Sequence, residues 1–166
     1  MKFIIVISSL IFLTSSVDAL GVQVYFFGQN ISNHQIFNVK DIKNLSESSS
    51  KHFDEKLRNF VYIPGLAKPF YDEETQTVIK SLLQVWSNSN IILVDWSACP
   101  TDYVGAKHMF KEADKILKSL IEAGLKTERT HVIGFGLGTF IAGYVAQFFN
   151  NASLPLARVT GLNPHN

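Results

Sequence analysis

The residues best spaced for covalent chemistry lie in the stretch HVIGFGLGTF, His131 to Phe140. A short apolar strand, a glycine turn and a helix start, in that order, form the setting of a G-x-S-x-G nucleophile elbow. There a serine held at a sharp strand-to-helix turn attacks a carbonyl carbon. In this chain Gly134 and Gly138 occupy the outer positions, but the attacking position is Gly136, which has no side chain to attack with. Glycine does fit the place, because strained apex geometry costs another residue roughly 1–3 kcal/mol and glycine lacks the clashing Cβ. The nearby hydroxyls of Thr139 and Ser97 are not expected to take over, Thr139 lying inside the helix and away from the apex. Among the other chemistry-bearing residues, His34, His52, His108 and His131 show no metal-ligand spacing and are read as surface or strand residues. Neither a metal nor a cofactor is expected. Asp95 and Trp96 close a strand and are read as structural.

The elements that must position this turn are legible from periodicity. VQVYFF (Val22 to Phe27) and QIFNV (Gln35 to Val39) suggest a hairpin-like pair near a sheet edge. The serine-rich NLSESSSKH (Asn44 to His52) follows as an exposed loop, and NFVYI (Asn59 to Ile63) is a strand stopped by Pro64 and Gly65. Next, DEETQTVIKSLLQVW opens with acids, as a helix N-terminus prefers, and places Val78, Ile79, Leu82, Leu83 and Trp86 on one face. NIILVDW (Asn90 to Trp96) is a continuous apolar run of the kind buried on both sides in a parallel sheet. A second helix carries the stripe Phe110, Ala113, Ile116, Leu117, Leu120 and Ile121, with Lys111, Glu112, Asp114, Lys115 and Lys118 on its exposed side and Gly124 as its stop. After the elbow, TFIAGYVAQFF (Thr139 to Phe149) is apolar all round and is expected to be enclosed within a layered fold. RVTGL (Arg158 to Leu162) is the last strand. Strands alternating with helices imply an α/β fold with a mostly parallel sheet covered on both faces by right-handed crossovers.

The 166 residues suffice for one domain. A composition 46% apolar and 17% charged is that of a globular chain, and a net charge of +1 gives no general electrostatic reason to expect nucleic acid as a partner. Lys2, the apolar run Phe3 to Leu13 and the small residues Val17 and Ala19 read as a signal peptide over residues 1–19, with an uncleaved anchor as the alternative. The run is too short for a comfortable membrane span. The domain is then 20–166. In a secreted chain the sequons at Asn30, Asn44 and Asn151 become glycosylation candidates. Cys99 is the only cysteine, so it is either a buried thiol or pairs with another chain or with sequence not present here.

Four segments in order resemble the N-terminal part of the pancreatic-lipase-like family of α/β-hydrolases, which includes insect phospholipase A1 relatives and the insect yolk proteins. FVYIPGL resembles the family's strand ending in H-G-F, IILVDWS its V-D-W strand, HVIGFGLGTFIAGYVAQ its nucleophile elbow, and RVTGLNP its R-I-T-G-L-D-P. The resemblance covers nearly all of residues 20–166 and implies the α/β-hydrolase fold with its C-terminal part absent. It also implies a Ser-His-Asp triad, from which this chain departs. The serine position is Gly136 and the aspartate position is Asn163, while Pro64 replaces the histidine of H-G-F. The family's catalytic histidine is expected beyond Asn166, and His165 stands two residues past the aspartate position. In serine proteases, Asn for the triad Asp costs about 10⁴ in rate, and loss of the nucleophile costs on the order of 10⁶. No competent catalytic residue is therefore expected. The family's oxyanion-hole donors correspond to the backbone N–H groups of Leu66 and Leu137, which survive side-chain replacement.

These departures point to a secreted lipase homologue without enzymatic activity, used for binding, storing or carrying a lipid or other apolar ligand, as in the yolk proteins. A protein partner or an oligomer is also compatible with that role. Some of the thirteen phenylalanines would then line a lipid cleft. The alternatives are a fragment of a lipase or phospholipase A1 that hydrolyses lipid carboxylic esters, and a truncated product without a selected role. If the span is complete, its last strand and its apolar helix faces lack their cover, and marginal stability or oligomerisation follows.

Overall fold

A computed structural model describes residues 21–38, 41–42, 52–99 and 103–164. The segment read as a signal peptide, most of the serine-rich loop and the sequon at Asn44 lie outside the described residues. Strands β1 (Gln23–Phe27), β2 (His34–Asn38), β3 (Arg58–Ile63), β4 (Ser89–Asp95), β5 (Thr130–Phe135) and β6 (Arg158–Leu162) form one sheet in the order β2-β1-β4-β3-β5-β6. β1 runs antiparallel to both β2 and β4, whereas β4, β3, β5 and β6 are mutually parallel. The expected N-terminal hairpin is thus present, and it forms one edge of a mostly parallel α/β sheet. β6 forms the other edge.

Helices α1 (Glu73–Val85), α2 (Tyr103–Glu122) and α3 (Gly138–Asn151) make the crossovers. Period-two alternation divides the central strands between two cores. Val24, Phe26, Val61, Ile63, Ile92, Val94 and Val132 point into the larger one, with Ile116, Leu117, Leu120, Ile141, Val145 and Phe149 from α2 and α3. Tyr25, Phe27, Phe60, Tyr62, Ile91, Leu93 and Ile133 point the other way, toward Ile79 and Leu83 of α1. Asp72 caps α1, its carboxylate accepting from the Glu74 and Thr75 backbone N–H groups, so the acidic opening does start the helix.

Three expectations need correction. Trp86 is not on the buried stripe of α1. It is the C-cap, 41% exposed, with its ring stacked 5.1 Å from Phe60. Glu112 of α2 is buried and paired with Lys115 at 2.7 Å, while the Lys111 and Asp114 side chains lie outside the described residues. Finally, α3 is apolar all round but is not enclosed. Ile141, Ala142, Val145 and Phe149 face the core, whereas Phe140 and Tyr144 are exposed. A helix lying on one sheet has only one face to bury unless another layer covers it. β6 is similarly open, with Val159 and Leu162 exposed.

Candidate functional site

The elbow lies at the C-terminal end of β5, where the chain reverses into α3. Gly136 has φ +53°, a left-handed conformation that a Cβ disfavours. Its N–H donates to the Leu162 carbonyl at 3.0 Å and its carbonyl accepts from Thr139 N–H at 3.1 Å. The turn is therefore tied to the end of β6, where Phe135 and Leu162 are register partners. Asn163 follows immediately, exposed, with φ +45°. The structure accordingly brings the Gly136 and Asn163 positions to neighbouring strand ends.

The outer glycines are set by close backbone approach. A Cβ on Gly134 would lie 2.3 Å from the Gly138 carbonyl oxygen, and a Cβ on Gly138 would lie 2.2 Å from the Ile63 oxygen and 2.5 Å from the Pro64 oxygen. The first turn of α3 thus rests directly on the end of β3. That contact also places the loops bearing Leu66 and Leu137 side by side at the C-terminal edge of the sheet. Among the described residues, neither the Leu66 nor the Leu137 backbone N–H has a hydrogen-bond acceptor. The N-terminus of α3 adds its positive dipole end at the same edge.

Pro64 also anchors the site, because its carbonyl accepts from the Trp96 indole N–H at 2.8 Å. Asp95 accepts from the Phe70 N–H at 2.8 Å and the Ser97 N–H at 3.0 Å, so both carboxylate oxygens hold loops. Both residues are buried and structural, as their position at a strand end suggests. Thr139 does more than sit inside α3. Its hydroxyl donates to the Gly134 carbonyl at 3.2 Å and lies 3.3 Å from that of Leu162. Its methyl fills the space above Gly161, where a Cβ would lie 2.5 Å away. The glycine of RVTGL is therefore a seat for Thr139, a pairing visible only once β6 lies beside the elbow. Cys99 is buried in the larger core, and burial, followed by the charges of Glu112 and Asp95, pushes its thiol up to about 11. That environment keeps a thiol protonated and unreactive.

The sequons at Asn30 and Asn151 are both exposed, Asn30 in the β1–β2 turn and Asn151 at the end of α3. His34 is hydrogen-bonded to the Ile31 carbonyl at 2.9 Å. Among the described residues there is no cluster of His, Cys, Asp or Glu suited to a metal ion, and no helix is long and apolar enough to cross a membrane.

Sequence reading missed a buried polar bracket at the opposite end of the sheet. The Asn59 amide donates to the Thr130 hydroxyl at 3.1 Å, and the Asn90 amide donates to Asn59 Oδ1 at 2.7 Å. Asn90 also exchanges bonds with the Asp54 backbone, at 2.9 and 2.7 Å. The available signal was an asparagine opening each of two apolar strands. Beside this bracket His131 Nε2 lies 2.8 Å from the Thr160 hydroxyl. Burial, and then the charge of Arg158, lower the proton affinity of its ring below the ordinary 6.5. The unfolded chain therefore binds this proton more readily, and stability falls as pH drops below about 6.5. The expected result is a thermal midpoint that declines less between pH 7.5 and 5.5 in His131→Gln than in the parent. An identical decline in both would remove His131 from that role.

A family model for lipases matches residues 9–166. Phospholipase A1 member A of Mus musculus is 29% identical over 128 residues, covering 72% of this chain and 26% of that protein. Phospholipase A1 member A of Homo sapiens is 33% identical over 53% of this chain and 20% of its own length. Lipase member H of Mus musculus is 32% identical over 61% of this chain and 22% of its own. The chain thus spans about a quarter of the length of the relatives it matches. Among solved structures, the HSL-homolog EstE7 from a metagenome library overlaps 64% of this chain and 37% of its own, with 17% identity and a TM-score of 0.46. With the family model running from residue 9 to the last residue over this sheet and elbow, the chain belongs to the lipase family, in its pancreatic-lipase-like branch.

Proposed function

We propose that this chain is a secreted lipase-family protein that does not hydrolyse esters and instead binds a lipid or other apolar ligand. The observation that carries the reading is Gly136 at the apex of an otherwise intact elbow. Acyl transfer at such a turn needs an oxygen or sulfur nucleophile, and none stands there. Asn163 supports the same reading, since an amide at the aspartate position would not stabilise an imidazolium as a carboxylate does. The exposed Phe140 and Tyr144 of α3 supply apolar surface beside the elbow for such a ligand. Secretion is supported by the apolar N-terminal run and by the exposed sequons at Asn30 and Asn151.

One feature favours a second reading, a lipase or phospholipase A1 fragment. Among the described residues the Leu66 and Leu137 N–H groups stand without acceptors on adjoining loops, as oxyanion donors would. A fluorophosphonate probe, which labels activated serines covalently, separates the two. No labelling and no ester turnover above buffer are expected from the purified chain. Stoichiometric labelling would overturn the non-enzymatic reading in favour of the second.

A further inference from the structure

The end of the sheet opposite the elbow holds a groove of about 540 Å³ at the N-terminal ends of β3, β5 and β6. Its walls carry four cationic side chains, Lys56, Arg58, Arg129 and Arg158, against one carboxylate, Glu128. This concentration of charge contrasts with a whole-chain net charge of only +1. Among the described residues, neither the Arg58 nor the Arg158 guanidinium has an acceptor, and the Lys56 ammonium has no acid partner. Arg129 donates through Nη1 to the Lys56 carbonyl at 2.6 Å, tying together the two loops that form the rim.

The cations flank an aromatic wall. Trp86 stacks on Phe60 at 5.1 Å, and Phe60 meets His131 at 5.5 Å. His131 is the register partner of both Phe60 on β3 and Arg158 on β6, so these side chains share one sheet face. Arg58 lies two residues before Phe60 and projects to that same face. Asn59, between Arg58 and Phe60, also lines the groove, while its side chain bonds Thr130 and Asn90 on the other sheet face and so fixes the strand. Planar guanidinium groups bind phosphate oxygens in paired hydrogen bonds, and an aromatic wall suits the organic group attached to them.

From this juxtaposition we propose that the groove binds the phosphate of an organic phosphomonoester, with Arg58 and Arg158 gripping the oxyanion and Trp86 and Phe60 packing against the organic part. The site is separate from the elbow and does not depend on whether the chain hydrolyses esters.

Calorimetric titration of the full chain with phenyl phosphate tests this, together with tryptophan emission, because Trp86 is 41% exposed and the only other tryptophan, Trp96, is 1% exposed. Saturable binding that inorganic phosphate competes away is expected. Arg58→Ala and Arg158→Ala should each weaken it about tenfold, the usual scale for one charge-assisted hydrogen bond, with circular dichroism unchanged. Vesicles of phosphatidylcholine with phosphatidic acid distinguish the source of the phosphate. Binding lost in the Arg58→Ala/Arg158→Ala double variant assigns a lipid headgroup, whereas binding of soluble esters alone assigns a soluble ligand. No saturation up to about 10 mM phenyl phosphate, or equal affinity in both folded single variants, overturns the proposal.

Discussion

Gly138→Ala is expected to destabilise the chain by about 3 kcal/mol or more, a large share of the roughly 5–15 kcal/mol that holds an ordinary domain together. The added methyl would stand 2.2 Å from the Ile63 oxygen and 2.5 Å from the Pro64 oxygen. Both are backbone atoms, and the Pro64 carbonyl is further fixed by the buried Trp96 indole. No side chain can swing aside to make room, so α3 must lift off β3 and lose part of its packing around Ile141 and Val145. Gly143→Ala is the control within the same helix, because nothing lies within 4 Å of its Cβ position. There the better helix propensity of alanine should leave stability unchanged or raise it by about 0.5–1 kcal/mol. Urea unfolding of both variants checks the contrast. Equal stability of Gly138→Ala and the parent would show that the strand–helix approach is looser than described.

Asn90→Leu should cost about 2–4 kcal/mol, because it leaves the buried Asn59 Oδ1 without its donor, worth roughly 1–3 kcal/mol, and removes two partly buried bonds to the Asp54 backbone. The leucine is nearly isosteric, so loss of packing does not explain the effect. Asn59 Oδ1 would lose its donor, and the Asp54 N–H and carbonyl would both lose their partner. Asn59 and Asn90 are 1% and 2% exposed, so water cannot readily replace the bond between them. The local consequence is release of the loop ahead of β3, which carries Lys56 and leads into Arg58. Hydrogen exchange should rise in residues 52–58 more than in β4 itself, and a uniform rise across the sheet would argue against the bracket. Polar networks of this kind are costly when partly satisfied, so Asn59→Leu should not add its full cost to Asn90→Leu.

The strands and helices were readable because each follows its own periodicity. β4 is an unbroken apolar run that ends up buried on both faces, and α2 shows the stripe that packs on the sheet. The strand–glycine–helix order foretold the turn between β5 and α3, and the motif residues alone identified the pancreatic-lipase-like branch. Periodicity was a poorer guide on α3. An apolar residue reports only that burial is favourable, not that a covering layer is present, and Phe140 and Tyr144 are exposed despite their type. Glu112 failed in the opposite sense, buried beside Lys115 because its carboxylate has a partner there.

What the sequence determined by itself is local: the order of the elements, the turn at Gly136, and the residue types at the Gly136, Asn163 and Pro64 positions. Only the tertiary structure decided why Gly134, Gly138 and Gly161 are glycines, since the atoms they make room for belong to other segments. It alone brought Asn163 beside Gly136, joined Asn59 to Asn90 and Thr130, and gathered Arg58 and Arg158 around one groove. The physical reason is the parallel sheet, whose crossovers set distant residues in adjacent strands. Thirty-one positions separate Asn59 from Asn90, yet 2.7 Å separates their amide groups.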